Sequence, residues 1–172
     1  MTKKQEALVG ELISLLPEGQ RLSFAEIANY LAELGYMPQR QKVADFVLSF
    51  KHQENGKVIA KIGVRKQKGF ISIKFFGCKD APERYKDALR EEIDARRQQY
   101  CGPLRDQNQK NRCGFCPACT GGGVGYYYRY PDGKELLRCG AYPIEIPDFG
   151  EGDVAGMKQI LSEQHRYFLS IG

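Results

Sequence analysis

Val43-Ala44-Asp45-Phe46-Val47-Leu48-Ser49-Phe50-Lys51-His52 decides the architecture of this chain. Phe46, Leu48 and Phe50 alternate with Val47, Ser49 and Lys51 as in a half-buried strand, while Val43, Phe46, Val47 and Phe50 also recur at helical spacing. As a strand, the stretch opens an antiparallel meander with 57–65 and 69–77, joined through the hairpin signal Asn55-Gly56 and through Lys68-Gly69. As a helix, 38–50 stands in front of a two-stranded wing. Aromatic and β-branched residues dominate the stretch, and the strand is the preferred reading.

The helical reading has a functional corollary. Arg40, Gln41 and Lys42 would then sit near the start of a recognition helix. That outline resembles winged helix-turn-helix DNA-binding domains over roughly the first 75 residues, through layout alone and with no specific motif. A winged-helix-like DNA-binding regulator is therefore the alternative to the sheet-based reading.

On the N-terminal side, Leu8, Val9, Leu12, Ile13, Leu15 and Leu16 trace one face of a helix over 4–16, ended by Pro17-Glu18-Gly19. Ser23 with Glu26 has capping-box spacing, and Phe24, Ile27, Ala28, Leu31 and Leu34 continue a second helix to Gly35. On the C-terminal side, Pro82 suits the first turn of a helix over 82–100, whose stripe of Tyr85, Leu89, Ile93 and Tyr100 can cover the meander. Residues 101–112 read as a linker. A second hairpin follows, Tyr126 to Tyr130 and Glu135 to Cys139 around Pro131-Asp132-Gly133-Lys134. Asp153 then caps a last helix through Met157, Ile160, Leu161, His165 and Phe168.

Charge is unevenly spread along the 172 residues, whose formal net charge is +5. Residues 1–35 and 121–172 each carry −2, whereas 36–120 carries 18 basic and 9 acidic residues. A basic middle of this kind attracts polyanions if it forms one face, so region 36–112 is a candidate nucleic-acid surface. Helical pairs such as Glu92 with Arg96 point the other way, to an ordinary solvated surface. No apolar run approaches the roughly 20 residues that cross a bilayer, and the start carries no export signal. The reading is a cytoplasmic protein with no membrane partner.

Four of the 6 cysteines supply the strongest chemical signal: Cys113-Gly-Phe-Cys116-Pro-Ala-Cys119, then Cys139 after the tyrosine-rich hairpin. In a reducing compartment clustered thiols point to a metal rather than to disulfides. Thiolates at this spacing can share one zinc ion, with nearby backbone amides donating to the sulfurs. Cys113, Cys116, Cys119 and Cys139 are the expected ligands, with Cys101 and His165 in reserve, and Arg112 and Arg138 are placed to offset the charge of four thiolates. The rival metal is a 4Fe-4S cluster, since three cysteines at two-residue gaps with a remote fourth also hold cubanes. A third reading is thiol redox chemistry at Cys116-Pro-Ala-Cys119. Cys78, ending an apolar strand, reads as a small buried side chain.

Gly121-Gly122-Gly123-Val124-Gly125 lacks the lysine and hydroxyl residue of a phosphate loop and reads as an arm. Of Tyr126, Tyr127, Tyr128 and Tyr130, alternate rings are expected to pack inward. With only 2 histidines and no nucleophile–histidine or paired-carboxylate arrangement, the chain reads as a non-enzyme. A four-thiolate site leaves no open position for an activated water, so the metal is read as structural.

At Cys113-Gly-Phe-Cys116, the Tyr-Pro-Asp-Gly hairpin, Arg138-Cys139-Gly140 and Glu163-Gln164-His165-Arg166-Tyr167-Phe168, the chain resembles small bacterial proteins of uncharacterised function, from about residue 25 onward. The resemblance implies a stand-alone bacterial cytosolic protein and no activity. The sequence thus predicts an α+β domain over 1–100: a helical hairpin and a three-stranded antiparallel meander covered by helices. A cysteine-rich metal-binding hairpin module follows over 101–146, and a C-terminal helix over 147–172 packs back on the main domain. The function expected is that of a zinc-binding, non-catalytic binding or regulatory protein, with an unknown ligand or protein as partner.

Overall fold

The computed structural model describes residues 1–100 and 125–171. Four helices, α1 (Lys3–Leu15), α2 (Glu18–Glu33), α3 (Glu83–Tyr100) and α4 (Val154–Ser170), accompany a five-stranded antiparallel sheet. Its strands are β1 (Tyr36–Arg40), β2 (Phe46–His52), β3 (Val58–Arg65), β4 (Lys68–Ile73) and β7 (Ile144–Ile146), in that spatial order. A separate two-stranded hairpin joins β5 (Gly125–Arg129) to β6 (Glu135–Cys139). The class is α+β. No helix among the described residues is long and apolar enough to cross a membrane.

The deciding stretch is a strand. In β2, Leu48 faces Ile62 across the ladder and Phe50 faces Ala60, while β3 continues the rows through Ile62–Ile71 and Ala60–Ile73, and β4 through Ile71–Ile146 and Ile73–Ile144. These cross-strand rows are fully or almost fully buried and form one apolar face. Residues one step out of phase, Gln39, Ser49, Lys61, Ser72 and Glu145, line up on the opposite face. The register slips between Phe50 and Lys51, and with that bulge Ile59 is as fully buried as its neighbour Ala60. A strand at 46–52 removes the recognition helix over 38–50, and with it the outline that resembled a winged helix-turn-helix.

Leu12 and Leu16 from the first helical segment, Phe24, Ile27 and Leu31 from α2, and Met157, Ile160 and Leu161 from α4 join the buried strand residues in one core. Close approach of helix to sheet is possible because β4 carries Gly69 there. A Cβ at that position would stand 2.4 Å from Leu16 Cδ2 and 2.9 Å from Phe24 Cζ. The Gly69 N–H donates to Gln20 Oε1 at 3.0 Å, which ties the strand to α2 directly.

Several details differ from the sequence expectation. The second helix begins at Glu18 with Pro17 before it, so Ser23 is an interior, buried residue and its capping-box spacing with Glu26 goes unused. The β3–β4 turn is Lys66-Gln67, both at positive φ (49° and 61°), with Arg65 paired to Lys68; Gly69 already belongs to the strand. Two residues at positive φ between paired flanks match the twist of a tight hairpin. Asp153 precedes α4 but gives it no side-chain cap. Its carboxylate instead accepts from the Gly150 N–H at 2.9 Å and pairs with Arg84 at 2.6 Å.

The meander is also wider than three strands. β1 contains Pro38 and β7 lies between Pro143 and Pro147, and both occupy sheet edges, where a missing N–H leaves no ladder bond unmade. Residues 144–146, placed by the sequence at the end of the cysteine-rich segment, thus complete the main sheet. α3 packs along β7 and β5, while α1, α2 and α4 approach β1, β2 and β3. Covering of the meander therefore falls mainly to the other three helices.

Candidate functional site

The β5–β6 hairpin carries the one expected metal ligand that lies among the described residues, Cys139. Its turn is built as the residues dictate. Gly133 takes φ +81°, the Gly133 N–H donates to Tyr130 O at 2.9 Å, and the Asp132 carboxylate accepts from the Lys134 N–H at 3.0 Å. Register pairs Gly125 with Cys139 and Tyr126 with Arg138.

Tyr126 and Arg138 fasten the hairpin to the domain. The Tyr126 ring is 2% exposed and packs edge-on against Phe75 at 4.9 Å and Phe76 at 5.5 Å. Its hydroxyl proton lies between the carbonyls of Tyr142 (3.2 Å) and Ile73 (3.4 Å), and burial pushes the phenol well above its ordinary value. Arg138, also buried, meets Glu92 of α3 at 3.2 Å and lies over the Tyr142 ring at 4.9 Å. Tyr130 donates to Asp94 of α3 at 2.6 Å. The alternation of the tyrosines is as the strand requires: Tyr126 is buried, Tyr127 is 67% exposed, and Tyr128 is half-buried against Tyr130.

Cys139 ends β6, half-buried, and its Sγ accepts the Ala141 N–H at 3.4 Å. An amide two residues on, donating to a cysteine sulfur, is the donor that stabilises a thiolate in a metal-binding loop. Lys74 adds positive charge near it. Burial lowers the Lys74 ammonium below its ordinary value, Cys139 acts in the opposite sense, and Lys61 lowers it further. The Cys139 sulfur is thus served by one backbone donor and one nearby cation.

Cys101, Cys113, Cys116 and Cys119 lie outside the described residues. Among the described residues, no three His, Cys, Asp or Glu side chains gather in a metal-holding group. His165, the reserve ligand on α4, has its Nδ1 3.3 Å from the Tyr36 hydroxyl and its ring tilted 33° to that of His52, with centroids 5.7 Å apart. Cys78 is half-buried, and its Sγ donates to Ile160 O at 3.4 Å. Burial and then Glu163 push its thiol up to about 12, which suits a packed side chain and not a nucleophile.

Nothing in the sequence pattern singled out the grouping of His52, His165 and Tyr36 from β2, α4 and β1. The available signal was slight, an alternating strand ending in histidine and a helix with histidine near its end. Comparison with protein-family models, curated proteins and solved structures found no match for this chain.

Proposed function

We propose that this chain is a zinc-binding protein of non-catalytic type, in which Cys113, Cys116, Cys119 and Cys139 hold one structural ion that closes the base of the β5–β6 hairpin. The observation that carries this reading is the Ala141 N–H donated to Cys139 Sγ, a ready-made donor for a metal-bound sulfur. Chain connectivity supports it. Gly125 pairs with Cys139, and Cys119 precedes Gly125 by six residues, a span of at most about 20 Å when extended. Four thiolates carry more negative charge than one zinc ion cancels, and Lys74 supplies compensation on the Cys139 side.

In this reading the metal orders a segment with little core of its own and so fixes the hairpin that presents Tyr127. An exposed aromatic ring on a fixed hairpin is suited to anchoring a protein or ligand partner, which is the binding role we assign.

Elemental analysis of protein purified without added metal tests the reading. About one zinc per colourless chain is expected, falling well below that in Cys139→Ser and in Cys116→Ser. A brown protein with a visible chromophore would replace zinc by an iron–sulfur cluster. Unchanged zinc content in Cys139→Ser would overturn the ligand set.

A further inference from the structure

The face of the sheet turned away from the core carries a chemistry of its own. Gln39, Ser49, Lys61, Ser72 and Glu145 cross it in one row, and Val47, Gly63 and Phe70 lie beside them in the next. Met37 and Lys51 pair on the same side. Met37, Val47 and Phe70 take no part in the core cluster that the helices share with the other face. Gln39, Lys51, Arg65 and Glu145 are exposed, while Lys61, Phe70 and Lys74 are half-buried. An open groove of about 470 Å³ follows the β1 edge, lined by Met37, Gln39 and Lys51 with Gln5 of α1 and Glu54 of the β2–β3 turn.

Positive charge gathers here without partners. Lys51, Lys61 and Lys74 make no ion pair among the described residues. Lys61 stands opposite Ser72, two residues from Lys74, so the two lysines are diagonal neighbours about 7–8 Å apart along the backbone. Their repulsion is felt: after burial, and against the pull of Cys139, Lys61 lowers the Lys74 ammonium. Arg65 is different. Asp45 at 3.7 Å and Glu145 at 3.5 Å hold it, with its guanidinium over the Phe70 ring at 4.5 Å. Phe70 lies across Gly63, where a Cβ would stand 2.7 Å from Phe70 Cε1, so a glycine is what leaves the ring its place on the sheet. Gln41 Nε2 donates to Ser49 Oγ at 2.7 Å, which keeps a side-chain amide on the same surface.

We infer that this face is a platform for single-stranded nucleic acid, on which Lys51, Lys61 and Lys74 meet phosphates and the Arg65–Phe70 stack receives a base. Five strands at about 4.8 Å spacing make a surface about 20 Å wide, room for a few nucleotides. The carboxylate in these rows, Glu145, is taken up by Arg65, and Glu54 only borders the groove. A duplex keeps its bases stacked on one another and would engage the ammonium groups alone. An anionic lipid surface would likewise leave the stack and the Gln39 and Gln41 amides without a task. Stacking on a ring and a guanidinium accepts any base, so recognition by chain form and charge is expected rather than by sequence. The inference rests on the sheet and not on the metal reading.

Fluorescence anisotropy of the full chain with a labelled oligo(U) of about 12 nucleotides provides the test. Saturable binding is expected at about 50 mM salt, weakening about twentyfold by about 200 mM, the loss that three phosphate contacts on a single strand imply. Lys51→Gln with Lys61→Gln should weaken binding about tenfold at the lower salt and shrink the salt effect to about threefold. Lys86→Gln with Lys158→Gln, an equal charge change on α3 and α4, should leave affinity within about twofold. Phe70→Leu keeps an apolar side chain over Gly63 and should cost about fivefold or more with the salt effect unchanged. Absence of saturable binding at about 50 mM salt would overturn the platform, whether or not phosphatidylserine vesicles bind. So would equal losses in the two lysine pairs, an unchanged affinity in Phe70→Leu, or a duplex of the same length bound as tightly as the single strand.

Discussion

Arg138 of β6 and Glu92 of α3 meet at 3.2 Å, with the arginine side chain 7% exposed and the carboxylate 31% exposed. The burden of the pair is therefore unequal. Removing the carboxylate's charge strands a buried cation, while removing the arginine leaves a carboxylate that water can reach. Glu92→Gln is expected to destabilise the folded chain by about 1–3 kcal/mol, with Arg138→Leu costing less than Glu92→Gln. Urea denaturation of the two variants decides it; equal losses, or a larger loss for Arg138→Leu, would show that charge burial is not what sets the cost.

Gly69 gives the clearest steric prediction. An added methyl group would press on Leu16 Cδ2 at 2.4 Å, Gln20 Oε1 at 2.8 Å and Phe24 Cζ at 2.9 Å, three atoms on the helical layer. Gly69→Ala should cost about 1–3 kcal/mol despite the better strand propensity of alanine. Gly10→Ala serves as the control, since nothing lies within 4 Å of a Cβ there. A stabilised Gly69→Ala chain would mean that the helices can retreat from β4 without loss.

The sequence made the middle of the fold legible because the large apolar residues that the ladder pairs recur at every second position, even though burial itself spills onto both faces of β2, β3 and β4. Phe46, Leu48 and Phe50, then Ala60 and Ile62, then Ile71 and Ile73 alternate, and the ladder pairs them across strands. Edges were hidden for a physical reason: Pro38 within β1, and Pro143 and Pro147 around β7, are turn signals that an edge strand tolerates. Ser23 misled because its cap spacing is local, whereas the helix is extended upstream to Glu18. Cys139 stood out by its spacing as a proposed ligand, but the Ala141 N–H donated to its sulfur depends on backbone geometry that composition does not encode. The His52–His165 pairing joins residues of different elements, and no local pattern announces it.

Lys66 and Gln67 carry a backbone preference that their side chains do not favour. Both adopt positive φ in a two-residue turn, a conformation that asparagine followed by glycine adopts at lower cost. Replacing Lys66-Gln67 with Asn-Gly should therefore stabilise the chain by about 0.5–1 kcal/mol, with no change at the core. A thermal melt reads the gain. A lowered midpoint would indicate that Lys66 or Gln67 contributes contacts that outweigh the relieved backbone.

Cys78 offers a test of burial through reactivity. Its thiol donates to Ile160 O, and burial, followed by Glu163, raises its pKa to about 12 from an ordinary 9.0. The unfolded chain ionises first as pH rises, so the stability tied to the protonated thiol is complete below about pH 9 and is lost on the way to about pH 12. At pH near 8 the native thiolate fraction is on the order of one in ten thousand, far below that of a free cysteine. Iodoacetamide at that pH, with peptide mapping, should therefore leave Cys78 unmodified in the folded chain and label it in urea. Rapid labelling of Cys78 in the folded chain would mean that the strand end opens far more readily than its contacts with α4 imply.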